Sequence, residues 1–183
     1  MLGGYGASID RKGIMFEHFT TPEEIFSFKL GSALTMEHDT LAMLSELAAT
    51  TQRPELQQLF RDHAVETQQQ IANIEQSFEL LGEPINDAPS PATKGLAKEG
   101  QASIKKTDQS IVDAVILAGA VETEHYEIAV YEVLVTNAKA RGANDVAALL
   151  QQNLDQELNA LENVKQAAQR ISTEGIAYPA ATP

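Results

Sequence analysis

Apolar residues recur at spacings of three and four along four long stretches of this chain, which is the period of an amphipathic helix. The stretches cover residues 21–51, 54–81, 108–141 and 144–172. The first begins with a capping box, in which Thr21 and Glu24 flank a proline at the first helical position. No stretch shows the strict alternation of a half-buried strand. The pattern therefore predicts an all-α protein.

A long connector over residues 83–107 separates the second and third predicted helices, whereas the other breaks are short. Residues 92–104 of this connector have a helical pattern, with Ser90 as a candidate cap. We therefore expect a ferritin-like four-helix bundle of two antiparallel hairpins, joined by a long crossover that carries a short fifth helix. The bundle would span residues 21–173, with flexible arms at 1–20 and 174–183.

The amino-acid composition limits the classes of partner and cofactor that such a bundle can have. The 183 residues fit one domain and include 13 basic and 26 acidic residues, a formal net charge of −13. This charge repels phosphate backbones and anionic lipid, which argues against nucleic acid and membranes as partners. It favours cations, although strong net charge also serves simply to keep a small bundle soluble. The absence of cysteine excludes disulfides, thiolate zinc sites and iron–sulfur clusters.

The first residues lack the pattern of a secretory signal, because no apolar core follows a basic start. No run of residues approaches the ~20 apolar positions that a membrane-spanning helix needs. We therefore expect a cytoplasmic protein.

Each long helix carries charged or imidazole side chains on the face where its apolar residues line up. The positions are Glu37 in the first helix, His63 and Glu66 in the second, Glu124 and Glu127 in the third, and Glu157 in the fourth. Residues three apart share one helix face, so the paired positions point the same way. All six fall near the middle of their predicted helices. The bundle would therefore hold them at one depth, as a layer that we call the acidic layer.

Burying such a layer is costly. An unpaired buried carboxylate costs several kcal/mol, and like charges gathered together cost more. Against a total stability of about 5–15 kcal/mol, this would unfold the domain unless protonation, arginine partners or divalent cations offset it. The helix seams offer no arginine or lysine at that level. Carboxylate and imidazole are ligands of iron and manganese, so we interpret the layer as a metal site.

Single positions also have simpler interpretations. An isolated glutamate on a helix stripe is commonly a rim residue whose stem packs and whose head reaches water. Three further residues lie close enough in sequence to support the layer. Gln70 continues its seam, Tyr131 either packs over it or donates to a ligand, and His125 points about 100° away from Glu124, which suits a supporting or a surface position.

Several motifs of this chain resemble those of the YciE/YciF-type bacterial stress proteins, a ferritin-like group. They are Thr21-Pro22-Glu23-Glu24-Ile25-Phe26, Pro54-Glu55-Leu56, His63-x-x-Glu66-Thr67, Phe78-Glu79-Leu80-Leu81-Gly82, Gly95-Leu96 with Glu99-Gly100, and Glu124-His125-Tyr126-Glu127-Ile128-Ala129-x-Tyr131. The resemblance covers residues 21–170. It implies a homodimer and a rubrerythrin-like site for two divalent metal ions, with iron expected and manganese or zinc as alternatives.

The chain departs from the wider ferritin-like pattern, in which two helices each supply a Glu-x-x-His motif. The histidine of such a motif would lie three residues after the glutamate. In this chain Gln69 occupies that position after Glu66, and Ala160 occupies it after Glu157. The resemblance carries the six residues of the acidic layer over as the ligand set, and this set is poor in histidine and rich in oxygen. Such a site leaves the metal and its redox competence open.

Two functions from different classes fit this sequence. The first is a di-iron oxidoreductase that consumes peroxide or oxygen, or oxidises incoming iron, under oxidative or metal stress. The second is a non-enzymatic protein in which the cations hold the bundle together for a structural or partner-binding role. Storage in a ferritin-like shell is a third, less favoured alternative, because the resemblance implies a dimer.

Overall fold

A computed structural model describes residues 18–175 of the chain. Within this range the structure consists of helices without strands, as the hydrophobic pattern predicts. The elements are α1 (Pro22–Thr50), α2 (Pro54–Leu81), α3 (Pro91–Ile104), a short 3-10 turn (Gln109–Ile111), α4 (Val112–Ala140) and α5 (Asn144–Gly175). Of the predicted arms at residues 1–20 and 174–183, residues 1–17 and 176–183 lie outside the described residues, and residues 174–175 belong to the end of α5.

The long helices pack as two hairpins. α1 lies against α2 and α4 lies against α5, and the hairpins meet through α2 with α5 and α1 with α4. α3, the helix of the crossover, packs against α4 and α1. The expected ferritin-like bundle with a fifth helix on its crossover is therefore confirmed. Among the described helices, none combines the length and the apolar composition that crossing a membrane would need.

Local sequence signals explain where the helices begin and end. The Thr21 hydroxyl accepts a hydrogen bond from the Glu24 backbone N–H at 3.2 Å, and the Glu24 carboxylate accepts from the Thr21 N–H at 3.1 Å. α2 ends at Gly82, whose φ of 68° is a left-handed conformation that glycine adopts without strain. Ser90 does occupy the N-cap of α3, but its hydroxyl pairs with the Thr93 hydroxyl at 2.7 Å rather than capping the backbone.

Two apolar clusters fill the interior and leave a polar band between them. The first cluster includes Phe26, Leu30, Leu34, Ile74, Phe78, Leu134 and Leu150. The second includes Leu44, Leu56, Phe60, Ile116, Leu117 and Val164. On α1, α2 and α4 the acidic-layer positions fall between the residues of one cluster and those of the other. On α5, Glu157 lies between Leu154 and Leu161 of the first cluster, and Val164 of the second cluster follows. Such flanking apolar packing removes water from the layer and makes any charge there expensive.

Candidate metal centre

Three of the long helices bring ligand-type atoms together at the centre of the bundle. His63 on α2, Glu124 and Glu127 on α4, and Glu157 on α5 each have one such atom, and these atoms all lie within 4.8 Å of one another. All four residues are buried. Metal–oxygen and metal–nitrogen distances are about 2.0–2.2 Å, so ligands on opposite sides of one ion are roughly 4 Å apart. The cluster is therefore of the size that encloses a cation.

Glu37 completes the layer from α1. Its side chain is fully buried, and its Oε1 accepts a hydrogen bond from the Tyr131 hydroxyl. Glu66 lies on the opposite flank, with about a third of its side chain exposed and its Oε2 3.3 Å from His63 Nδ1. The structure thus gathers the six predicted residues in one region, with Glu66 at its solvent edge.

One atom on each of five residues is buried and has no hydrogen-bond partner. These atoms are Glu37 Oε2, His63 Nε2, Glu124 Oε2, Glu127 Oε2 and Glu157 Oε2. Buried polar atoms in folded proteins are nearly always paired, and each unpaired one costs about 1–3 kcal/mol or more when charged. Five of them in one layer indicate that the protein fold is not the whole site. Cations bound within the layer would satisfy these atoms.

His63 lies at the middle of the cluster. Its Nε2 is 3.4 Å from Glu124 Oε1 and 3.7 Å from Glu157 Oε2, and its Nδ1 faces Glu66. Burial lowers the pKa of His63, but the nearby carboxylates of Glu124 and Glu66 and the charge of Glu127 outweigh burial and raise this pKa to about 10. Without a metal, His63 is the cation of the layer. Because an imidazolium cannot ligate, metal binding requires His63 to release its proton.

Three buried carboxylates, those of Glu37, Glu127 and Glu157, hold protons more tightly than free glutamates do. Burial raises the pKa of Glu37 to about 7, although the hydrogen bond from Tyr131 and the charge of His63 oppose the rise. Burial, reinforced by the negative charges of neighbouring glutamates, raises the pKa of Glu127 and of Glu157 well above the ordinary value. The layer therefore carries protons when no divalent cation neutralises it. Protons and metal ions thus compete for the same carboxylates.

Neutral side chains orient the carboxylates by hydrogen bonds. The Thr40 hydroxyl donates to Glu127 Oε1 at 2.5 Å, and the Gln70 amide donates to Glu157 Oε1 at 2.5 Å. Each bond occupies one carboxylate oxygen and leaves the other free to face the cluster. This arrangement is typical of metal sites, where neighbouring hydrogen-bond partners fix the orientation of the ligand side chains.

The supporting network extends further than the sequence analysis predicts. Asn153 donates to the Tyr131 hydroxyl at 3.1 Å and to the Gln70 carbonyl at 3.2 Å, and it accepts from Asn73 at 2.7 Å. Neither asparagine, nor Thr40, is among the residues singled out from the pattern. The sequence does carry a signal for Asn153, because this residue lies four residues before Glu157 and therefore on the same helix face.

The structure separates the three residues expected to support the layer. Gln70 and Tyr131 are fully buried and contact Glu157 and Glu37, respectively. His125, in contrast, is exposed, so of the two positions expected for it, supporting or surface, the structure shows the surface position. The reason is the helical period, since consecutive residues on α4 point about 100° apart and Glu124 takes the inward direction.

Comparison with known proteins agrees with the motifs. The chain is 34% identical over 139 residues to protein YciF of Escherichia coli strain K12, which covers 75% of this chain and 84% of YciF. The crystal structure of the E. coli stress protein YciF matches with a TM-score of 0.82 and 30% identity, covering 85% of this chain and 99% of that one. A protein of Rhodopseudomonas palustris, YcfI, matches with a TM-score of 0.78 and 31% identity over 80% of this chain and 94% of its own.

A more distant match concerns the fold alone. Ferritin-like, diiron-carboxylate proteins from Bacillus anthracis match with a TM-score of 0.64 at 16% identity, covering 82% of this chain and 99% of theirs. The family described as "Domain of unknown function (DUF892)" matches residues 21–177. The resemblance inferred from the motifs is thereby confirmed. The chain belongs to the DUF892 family and is a ferritin-like relative of the stress protein YciF.

Proposed function

We propose that the acidic layer binds two divalent cations, and that the protein acts through them in a response to oxidative or metal stress. The proposed ligands are Glu37, His63, Glu66, Glu124, Glu127 and Glu157. Iron is the expected metal, with manganese or zinc as alternatives, because the set is rich in carboxylate oxygen and contains one imidazole. The observation that carries the proposal is the set of five buried ligand-type atoms without a hydrogen-bond partner.

Charge supports two ions rather than one. The proposed set contains five carboxylates, and two divalent cations supply four positive charges. A single ion would leave most of this negative charge in a region that apolar clusters close on both sides. Two ions nearly neutralise the layer and allow His63 to act as a neutral ligand.

A route for the cations lies beside Glu66. This residue borders a surface groove of about 570 Å³ that is lined on the α5 side by Gln151, Gln152, Asp155 and Gln156. The groove supplies amide and carboxylate oxygens, which suit a partly hydrated cation. Glu66 would hold an entering cation at the solvent edge of the layer, next to His63, whose Nδ1 it contacts at 3.3 Å.

The proposed activity is the consumption of peroxide or oxygen, or the oxidation of ferrous iron. A reduced di-iron pair supplies the electrons for such chemistry when it is bound. The residues of the chain hold the ions, direct the carboxylates through Thr40, Gln70 and Tyr131, and exclude bulk water. We also propose the cytoplasmic location and the homodimer that the family resemblance implies.

The proposal is tested by metal content and turnover together. Protein purified without chelators from iron-supplemented cells should hold about two metal ions per chain by elemental analysis. Glu127→Gln should lower this content, whereas Glu132→Gln, an exposed glutamate on the same helix, should not. The reduced, iron-loaded protein should consume added peroxide faster than the Glu127→Gln variant. Far fewer than two ions per chain in the wild type would overturn the proposal.

A non-enzymatic role is the second candidate, and the burial of the acidic layer favours it equally. In that case the cations only neutralise the layer and hold the bundle for a structural or partner-binding function. Chelation should then lower the melting temperature by a large margin, while the metal-loaded protein shows no metal-dependent consumption of peroxide or oxygen. Turnover that is lost with the metal would contradict this alternative.

A further inference from the structure

A second feature of the bundle lies where the crossover helix covers the hairpins. A cavity of about 310 Å³ opens between α1, α3 and α4, and we call it the crossover pocket. Its walls are mainly apolar and include Leu44, Leu47, Leu96, Ile104, Val115 and Ile116. Sites for small molecules are typically concave, about 300–1,000 Å³ in volume, mostly apolar, and equipped with a few polar groups. The crossover pocket meets this description.

The polar groups of the pocket belong to the acidic layer. Thr40 and Glu124 line the cavity. The Thr40 hydroxyl donates to Glu127, and Glu124 Oε1 lies 3.4 Å from His63. Glu124 is 3% exposed, and its side chain is of the acceptor type. A molecule in the pocket therefore meets a glutamate of the acidic layer at its inner end.

The outer end of the pocket is polar. Gln101 on α3 donates to the Glu46 carboxylate on α1 at 2.9 Å, and both residues line the cavity together with Lys105. This hydrogen bond joins the crossover helix to the first hairpin at the mouth. The pocket thus has a solvated polar opening, an apolar middle and a buried acceptor at its base.

Two glycines keep the pocket open. Gly119 on α4 and Gly100 on α3 both line the cavity, and a Cβ atom added at either position would meet no atom within 4 Å. Glycine is a poor residue for a helix interior, so helix stability does not explain these two positions. Because both residues line the cavity, a long side chain at either position would take up part of its space.

We propose that the crossover pocket binds a small apolar organic molecule of about one or two fused rings, with a hydrogen-bond donor directed at Glu124. The size follows from the volume, which is about twice that of the ~150 Å³ engineered cavity that accommodates benzene. The donor follows from Glu124, the glutamate of the acidic layer that lines the cavity. That the bound molecule is a substrate of the metal centre rests on the proposed function. That the crossover pocket binds such a molecule does not depend on the proposed function.

The test uses indole, a two-ring compound with one N–H donor, titrated into the full-length protein by calorimetry. Indole should bind with a Kd below about 1 mM. Benzofuran has the same shape without the donor, and it should bind about tenfold more weakly because it offers Glu124 no hydrogen bond. Failure of indole to bind, or equal binding of benzofuran, would overturn the proposal.

Glycine variants locate the site. Gly119→Leu should weaken indole binding at least about tenfold by filling the cavity, and Gly100→Leu provides the same test from α3. Gly95→Leu is the matched control, because Gly95 is exposed on α3, has the same open surroundings and is not part of the pocket lining. Leucine favours helix over glycine, so none of the three should lower the melting temperature. Equal affinity in all variants would refute the location.

Metal content separates this proposal from the proposed function. If the protein binds no metal but Gly119→Leu still removes indole binding, the pocket proposal is supported and the metal proposal is wrong. If the protein binds metal but not indole, the metal proposal is supported and the pocket proposal is wrong. In cobalt-loaded protein, indole should shift the visible absorption bands of the metal, and Gly119→Leu should abolish that shift. Bands that indole leaves unchanged would contradict a substrate site at the metal centre.

Discussion

The substitution Glu37→Gln isolates the cost of one buried charge in the acidic layer. Glu37 is fully buried, and its Oε1 accepts a hydrogen bond from Tyr131. Glutamine keeps the size and the acceptor oxygen of this side chain but removes the charge. In the metal-free protein the substitution should therefore increase stability wherever the wild-type carboxyl is ionised.

The magnitude follows from the pKa of Glu37. Burial raises this pKa from 4.5 to about 7, and each pKa unit corresponds to 1.36 kcal/mol, so ionisation costs the folded state about 3 kcal/mol. A carboxyl with a raised pKa stabilises the fold below the unfolded pKa, and this stability is lost as the pH rises through about 7. Glu37→Gln should thus be about 3 kcal/mol more stable than wild type at pH 8, and about 1 kcal/mol or less at pH 5.

Urea unfolding of the chelator-treated protein at pH 5 and pH 8 measures this difference. Glu132→Gln serves as the control, since Glu132 is exposed on α4 and its substitution should stay within about 0.5 kcal/mol of wild type at both pH values. A Glu37→Gln effect that is the same at pH 5 and pH 8 would refute the reasoning, because it would show that Glu37 is not ionised at a cost in the folded state.

Three further outcomes are expected. Ferrous or manganous ions should raise the melting temperature more at pH 8 than at pH 5.5, because ligands such as Glu37 and His63 must lose protons to bind, and an equal rise at both would contradict proton release. Tyr131→Phe should cost about 1–3 kcal/mol in urea unfolding, since it leaves buried groups of Glu37 and Asn153 unpaired, and a neutral effect would show that this network is unimportant. Gly82→Ala should cost about 1–2 kcal/mol, because φ is 68° there, and unchanged stability would mean that the α2 terminus relaxes.

The sequence was informative about the fold because its signals are local. The period of the apolar residues, the Thr21 capping box and the break at Gly82 depend on neighbours within one or two turns. They predict the four long helices and the crossover helix that the structure contains. The depth of the acidic layer also followed, because counting from helix ends gives height along a bundle without knowledge of side-chain contacts.

Other features depend on how the helices are rotated and how closely they approach. The half-exposed position of Glu66, the hydrogen bond from Thr40 to Glu127 and the asparagine network around Asn153 arise from contacts between helices that are distant in sequence. The crossover pocket depends on how α3 packs against α1 and α4. Periodicity along one helix carries no information about that placement.

If the acidic layer holds two metal ions, an anomalous-scattering map of crystals of the metal-loaded protein should show two peaks per chain at the depth of the layer. His63 and the buried glutamates of α1, α4 and α5 should be their ligands. A map without peaks at this depth, or with peaks only at surface carboxylates, would contradict the metal proposal.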